Sequence, residues 1–310
     1  MTEDNIPETV LEAVRYFSDL DVCHQFIVKL RWSDGGITCP HCGSKDIGKL
    51  VMPRRLWNCK GCKKQFTAKI GTIFEDSPLG LDKWIPAVWL ITNAKNGISS
   101  CELARALGVT QKTAWFMLHR IRRAMQNNTL VKIRGEVEVD ETFIGGKSRF
   151  KHQGKKAKQT GWKEMTPVQG LLQRHGTRSK VITKVVKNTR KGTVQANVRE
   201  YVLKGSEVFT DALRSYQGLE SDYAHQVIDH AECYAKGKVH TNGLENFWCL
   251  LKRSIKGTYV HCAPFHLHRY LDEQAFRFNE RYRDDSGRFV ETLRNVVKNK
   301  LTYSRLTGKA

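Results

Sequence analysis

No apolar run in the chain approaches the roughly 20 residues that a membrane-spanning helix requires, which excludes a spanning segment. The first residues, Met-Thr-Glu-Asp-Asn, lack the charged-then-apolar order of a secretory leader, so a cytoplasmic protein is expected. Acids are scarce beside bases: 31 Asp and Glu face 52 Lys and Arg, for a net charge of +21. Such a surface attracts polyanions, nucleic acid first among them, with a ribosome-like or membrane-surface protein as the blander alternative. The nine cysteines are odd in number, and without a leader they are expected to stay reduced. At 310 residues the chain has room for two or three domains, one with a substantial core.

Four cysteines have a use. Cys39-Pro-His-Cys42 and Cys59-Lys-Gly-Cys62 form two C-x2-C pairs separated by sixteen residues. Each pair turns both sulfurs toward one ion on a tight knuckle, and four thiolates suit tetrahedral, structural zinc. Ile47 to Met52 and Arg55 to Asn58 read as strands of a ribbon, with Phe66 as a packing residue. Such a site is closed, so it stabilises a small domain rather than offering catalysis. His41 is expected at the surface. Cys23, Cys101, Cys233, Cys249 and Cys262 stand singly and are expected as small core residues.

Residues 98 to 125 carry the signals of a helix-turn-helix. Ser99 with Glu102 forms a capping box, Gly108 suits a left-handed helix end, and Thr110 caps a second helix. Leu103, Ala104 and Leu107, then Ala114, Leu118, Ile121 and Met125, recur at helical spacing and predict a shared core. Gln111, Lys112, Thr113, His119 and Arg123 are left for the outer face of a DNA-recognition helix. A plain helical hairpin is the alternative. Leu81 to Ile91 reads as a further amphipathic helix.

From residue 136 the periodicity changes to that of strands. Glu136 to Ile144, Val168 to Gln173, Lys180 to Val186, Glu207 to Thr210 and Gln226 to Asp229 are expected as five strands, with Thr193 to Leu203 as a helix. Three strands, helix, strand, helix, strand, helix is the order of a ribonuclease H-like α/β fold. In that fold the first and fourth strands are neighbours, which would bring Asp140 and Asp211 together, and Glu245 would follow on a helix after the fifth. Adjacent carboxylates repel unless divalent cations lie between them, and oxygen ligands favour magnesium or manganese. Two such ions about 3.5–4 Å apart serve in-line displacement at a phosphodiester. Glu245 and Lys252, seven residues apart, share a helix face, so lysine can hold phosphate while glutamate holds metal; a solvated stripe is the alternative. Glu141 should point to the opposite face of its strand from Asp140, and Asp229 is an auxiliary candidate. His240 reads as structural or DNA-contacting.

These residues resemble a known family. Arg31-Trp-Ser-Asp-Gly-Gly-Ile-Thr-Cys39-Pro-His-Cys42-Gly, Val139-Asp140-Glu-Thr-Phe-Ile-Gly-Gly-Lys147 and His240-Thr-Asn-Gly-Leu-Glu245-Asn-Phe-Trp248-Cys-Leu-Leu-Lys252-Arg-Ser-Ile-Lys-Gly257-Thr-Tyr are similar to the insertion sequence 1595 (ISXO-like) group of DDE transposases. The resemblance runs from about residue 15 to about residue 285. It implies a magnesium-dependent DNA nucleotidyltransferase and endonuclease that binds terminal inverted repeats, cleaves strands and joins them to target DNA. It also implies a bacterial, nucleoid-associated protein that works as a dimer or higher oligomer. Many members carry asparagine at the third metal position, and Asn242 lies three residues before Glu245; Glu245 is favoured, with Asn242 as a neighbouring ligand or substrate contact. A non-catalytic DNA-binding regulator on the same fold is the alternative.

The expected division is a helical segment and zinc ribbon over 1–75, helix-turn-helix over 76–130, ribonuclease H-like domain over 131–285 and a basic, frayed tail over 286–310. Within the third part, Gly145 to Met165 carries seven cations, Lys155 and Lys156 among them, and is expected to meet DNA backbone, as is Arg253 beside Lys252. His266 to Arg283 reads as a closing helix with Tyr270, Leu271, Phe276 and Phe278 inward and arginines outward.

Overall fold

Two C-x2-C knuckles bring two short strands together in the N-terminal third. In the computed structural model, which describes residues 6–126, 132–145, 165–228, 238–297 and 299–308, helices α1 (Val10–Tyr16) and α2 (Leu20–Arg31) precede antiparallel β1 (Leu56–Asn58) and β2 (Gln65–Thr67). Trp57 and Phe66 stack across this pair at 5.6 Å, and His24 of α2 stacks on Trp57 at 5.2 Å. The strand expected over 47–52 is reduced to isolated bridges, Ile47 to Cys59 and Val51 to Leu56. Leu50, Val51 and Met52 are exposed, so no second layer rewards a regular strand there.

Three helices follow, α3 (Leu81–Asn93), α4 (Ser100–Leu107) and α5 (Gln111–Ala124). The α4 capping box of Ser99 and Glu102 forms, Gly108 ends α4 at φ 61°, and the Thr110 side chain accepts from Thr113 N–H. Helix α3 is not amphipathic as expected: Leu81, Trp84, Ile85, Ala87, Val88, Trp89 and Ile91 are all buried, which marks a central helix.

The second half contains strands β3 (Glu136–Ile144), β4 (Thr166–Gln173), β5 (Lys180–Val185), β6 (Glu207–Asp211) and β7 (Ala224–Ile228) and helices α6 (Lys191–Tyr201), α7 (Asn242–Ser254) and α8 (Leu267–Asn279). The sheet order is β5-β4-β3-β6-β7, antiparallel through β5, β4 and β3, and parallel through β3, β6 and β7. Alternation along the strands feeds two cores. Val137, Val139 and Leu171 pack with Val194 and Val198 of α6, whereas Val168, Leu172 and Val181 pack with Leu244, Phe247, Trp248, Leu251 and Leu271 of α7 and α8. The helix expected between β6 and β7 is only a 3-10 turn, Arg214–Tyr216; Tyr216, Leu219 and Tyr223 fill that side of the core instead. On α8 the four expected apolar residues are buried, but Arg269 and Arg277 are buried too, and Arg277 pairs with the buried Glu273.

The tail does not fray as expected. It forms α9 (Asp285–Val296), capped by Asp284, and the short α10 (Tyr303–Thr307). Phe289, Val290, Leu293 and Val296 are buried, α9 packs against α3 and α5, and the Phe289 ring lies 4.9 Å from Trp89. The chain therefore divides into two compact units, Met1–Met125 with Arg283–Ala310, and Gln126–Tyr282. Among the described residues no helix is long and apolar enough to cross a membrane.

Candidate metal centres

The sulfurs of Cys39, Cys42, Cys59 and Cys62 all lie within 4.8 Å of one another, with Cys39 to Cys62 at 3.7 Å and Cys42 to Cys59 at 3.6 Å. Tetrahedral zinc with bonds near 2.3 Å requires sulfurs about 3.8 Å apart, so the four fit a structural zinc ion. The Cys62 backbone N–H donates to the Cys59 sulfur at 3.4 Å and, with the other sulfurs adding, holds that thiol down at about 6, close to the thiolate that zinc requires. His41 is exposed, as expected. Of the single cysteines, Cys23 is buried, whereas Cys101 and Cys249 are exposed and so are not core residues; Cys233 lies outside the described residues.

On α5, Gln111 and Lys112 are exposed at the first turn, and Thr113 and Arg123 are half-buried. Gln111 Nε2 donates to Ser100 Oγ at 2.7 Å, and the Thr113 hydroxyl shares a 2.8 Å bond with Thr110. His119 is not on an outer face: it is fully buried, its ring 4.3 Å from that of Trp115. Helix α5 packs against α3, α4 and α9, which leaves few outward positions along its second half.

The acids gather by topology. Parallel pairing of β3 with β6 aligns Val139 with Thr210, so Asp140, midway along β3, and Asp211, the last residue of β6, follow side by side on neighbouring strands. Helix α7 lies across that sheet face, and its Trp248 Nε1 donates to Asp140 Oδ2 at 2.9 Å. The Asp140 carboxyl is pushed up to about 6, first by burial and then by the charges of Asp211 and Glu245, against the pull of the Trp248 N–H. Glu245 and Lys252 are both half-buried on α7, and Arg253 is exposed. Asn242 begins α7, and its Oδ1 is buried without a hydrogen-bond partner among the described residues. Glu141 points to the α6 side, as expected, where the Tyr216 hydroxyl donates to it; burial first pushes it up to about 8. Lys155, Lys156 and Asp229 lie outside the described residues.

Among the described residues the four cysteines are the one group of three or more His, Cys, Asp or Glu placed to hold a metal ion as the side chains stand. Two divalent ions about 3.5–4 Å apart, each about 2.1 Å from its oxygens, span ligands up to roughly 8 Å apart. A buried carboxyl raised first by desolvation and then by neighbouring acids is the kind of perturbed group that functional sites carry.

Four residues that hold this site have no part in the sequence expectations. Glu138 is 1% exposed and accepts from Leu244 N–H at 2.8 Å, capping α7 where Thr241 supplies no side-chain bond. Arg174 Nε donates to Glu138 at 2.7 Å, and Arg174 also reaches His240, which gives that histidine a structural place. Gly243 allows the approach, since a Cβ there would meet the Glu138 carboxylate at 2.9 Å. Gly170, paired with Asp140 across β3 and β4, clears the way for Trp248: a Cβ there would lie 2.6 Å from its ring. Period-two alternation from Asp140 already places Glu138 on the same face, and that was the available signal.

A zinc ribbon ahead of a mixed five-stranded α/β domain with paired acids on neighbouring central strands is the build of a transposase. The comparisons agree: residues 132–279 match the ISXO2-like transposase domain, and residues 19–65 match the transposase zinc-ribbon domain. An uncharacterized transposase-like protein of Haemophilus influenzae is 33% identical over 123 residues, 39% of this chain and 97% of that protein. An uncharacterized protein in transposable element ISH50 of Halobacterium salinarum is 27% identical over 242 residues, 73% of this chain and 80% of that protein. The chain belongs to the insertion sequence 1595 (ISXO2-like) transposase family.

Proposed function

We propose that the protein moves a DNA element by cutting strands at its terminal inverted repeats and joining them to target DNA. The observation that carries this reading is the register of β3 and β6, which brings Asp140, midway along β3, beside Asp211, the last residue of β6, under a helix tied to Asp140 through Trp248. The sheet order, with β3 and β6 parallel at its centre, supports a ribonuclease H-like assignment. The α4 and α5 pair, with its capping box and left-handed Gly108, supports a helix-turn-helix in which Gln111, Lys112, Thr113 and Arg123 approach DNA.

Asp140, Asp211 and Glu245 would hold two magnesium or manganese ions, with Asn242 Oδ1 as a further ligand or substrate contact. Such ions supply activation of the attacking oxygen and stabilisation of the leaving one. The chain's own residues do the positioning. Trp248 fixes one oxygen of Asp140, and Glu138 sets the end of α7 from which Asn242 and Glu245 project. Lys252, about two turns further along the helix, holds substrate phosphate as a point charge. Arg253, Lys155 and Lys156 contact backbone phosphates, and the zinc ribbon supports the DNA-binding unit. Two ends must be handled together, so the working form is a dimer or higher oligomer.

The test uses zinc-loaded protein, a duplex carrying the element's end, and magnesium. Wild type is expected to nick and join that end, and Asp140→Ala is expected to bind it without nicking. A wild type that binds but never nicks, or an Asp140→Ala protein as active as wild type, would assign the chain to non-catalytic DNA-binding regulators instead.

A further inference from the structure

The turn that follows α7 is built to hold two apolar side chains in solvent. Beyond Ser254 the helix widens into a π-helical segment, Ile255–Tyr259, and Val260 then reverses the chain at φ 60°, ψ −51°. His261 N–H donates to the Tyr259 carbonyl at 2.6 Å, which closes a γ-turn of the positive-φ kind, the rarer and more strained hand. A β-branched residue in that conformation is a genuine outlier. Backbone outliers persist only where the surroundings over-determine them, and they concentrate at functional positions. Both flanks here are pinned. Ile255 is in the core, the Tyr259 ring lies 4.8 Å from Tyr270 while its hydroxyl donates to Glu273, and Cys262 packs against the same core. Val260 is left 79% exposed, and Phe265, in the 3-10 turn Pro264–His266, is 54% exposed.

The surroundings of this tip say what it meets. Between Glu245 and Asp272 the sequence has no acidic residue, while Lys252, Arg253 and Lys256 are cationic. Arg253, Lys256 and His261 are exposed. An exposed apolar point flanked along the chain by exposed cations complements a polyanion with an apolar interior, and DNA is that partner: phosphates outside, stacked bases within. Apolar side chains inserted between base steps unstack and bend a duplex.

We propose that Val260 and Phe265 form a wedge that enters the base stack of bound DNA and unstacks one step. This rests on the reading of the second unit as a DNA-processing domain. Fifteen residues separate Glu245 from Val260, on the order of 20 Å along a helix, so the opened step lies within about six base pairs of the acids. Unstacking there lets one strand leave the duplex path and run past Lys252 toward Asp140. The strained turn keeps the wedge raised before DNA arrives.

The experiment places 2-aminopurine, whose fluorescence rises on unstacking, at successive positions of a duplex carrying the element's end. Binding is followed without magnesium, and nicking of the same duplex is measured with magnesium. Wild type is expected to raise the fluorescence several-fold at one or two adjacent positions. The Val260→Gly, Phe265→Ser double variant is expected to bind with an unchanged salt dependence, to lose the rise, and to nick slowly unless a mismatch opens that step in advance. Wild type that binds without unstacking, or a double variant that unstacks as wild type does, overturns the wedge. A changed subunit count in the variant with unchanged fluorescence assigns the tip to protein contact and overturns it as well. Unstacking without wild-type nicking leaves the wedge standing and removes the catalytic reading; nicking without unstacking does the reverse.

Discussion

The four cysteines and the acids both gather groups that repel one another when charged, and they do so by opposite means. In the ribbon, each pair of sulfurs is three residues apart in sequence, the knuckle does the gathering, and the sulfurs stand at the spacing of a tetrahedral ion. In the α/β unit, Asp140 and Asp211 are 71 residues apart and meet only because β3 and β6 pair in parallel. The first site builds its domain around the metal. The second is built by its domain, and burial, with the neighbouring acids adding, leaves Asp140 with a raised pKa.

Removing metal should separate the two most sharply. Structural zinc contributes on the order of 10 kcal/mol in small zinc domains, so chelation or Cys59→Ser is expected to unfold the ribbon. Limited proteolysis should then cut within residues 33–72 while the α/β unit stays resistant; equal protection of the ribbon with and without zinc would break the contrast. In the other unit a packing change should act where metal removal does not. Gly170→Ala places a methyl group against the Trp248 ring, at a cost of about 1–3 kcal/mol from overpacking, readable as a lower denaturation midpoint. An unchanged midpoint would mean that α7 is not held as close to the sheet as the structure has it.

Trp248→Phe keeps the ring and removes the N–H that orients Asp140. Nicking is expected to fall about 10-fold, equivalent to about 1.4 kcal/mol, with a higher magnesium requirement and little change in folding. An unaltered magnesium dependence would show that the bond is incidental.

The two units should also respond to pH in opposite directions. Asp140 and Glu141 have folded pKa values raised to about 6 and about 8, so the folded state holds protons that the unfolded chain releases. Their stabilising contribution is fully present below about 4 and is lost as pH rises through those values. In magnesium-free buffer, thermal melting of the α/β unit should fall by a few degrees between pH 5 and 8. The ribbon should gain over the same range, because zinc needs thiolates. Parallel trends in both units would contradict the assignment.

What the sequence disclosed follows the same division. The cysteine spacing, the Ser99 capping box, Gly108 and the alternation from Glu136 are local signals, and each produced its element. Features that need a partner elsewhere in the chain stayed hidden. His119 looked outward on an isolated helix, but the tail, read as frayed, forms α9 and packs on α5, which shows how crowded that helix is. Gly170 read as an ordinary strand residue until Trp248 lay over it, and the helix expected before β7 gave way to aromatic packing around Tyr216. Glu138 was within reach of the alternation argument, but its task of capping α7 depends on a helix more than a hundred residues away.

The central claim is that Asp140, Asp211 and Glu245 form a divalent-metal site distinct from the zinc site, and titration of zinc-loaded protein with manganese tests it most directly. Wild type is expected to take up about two further equivalents, and Asp140→Asn and Asp211→Asn to lose that binding while retaining zinc. A wild type that binds no manganese beyond its zinc, or Asn variants that bind as wild type does, would contradict it.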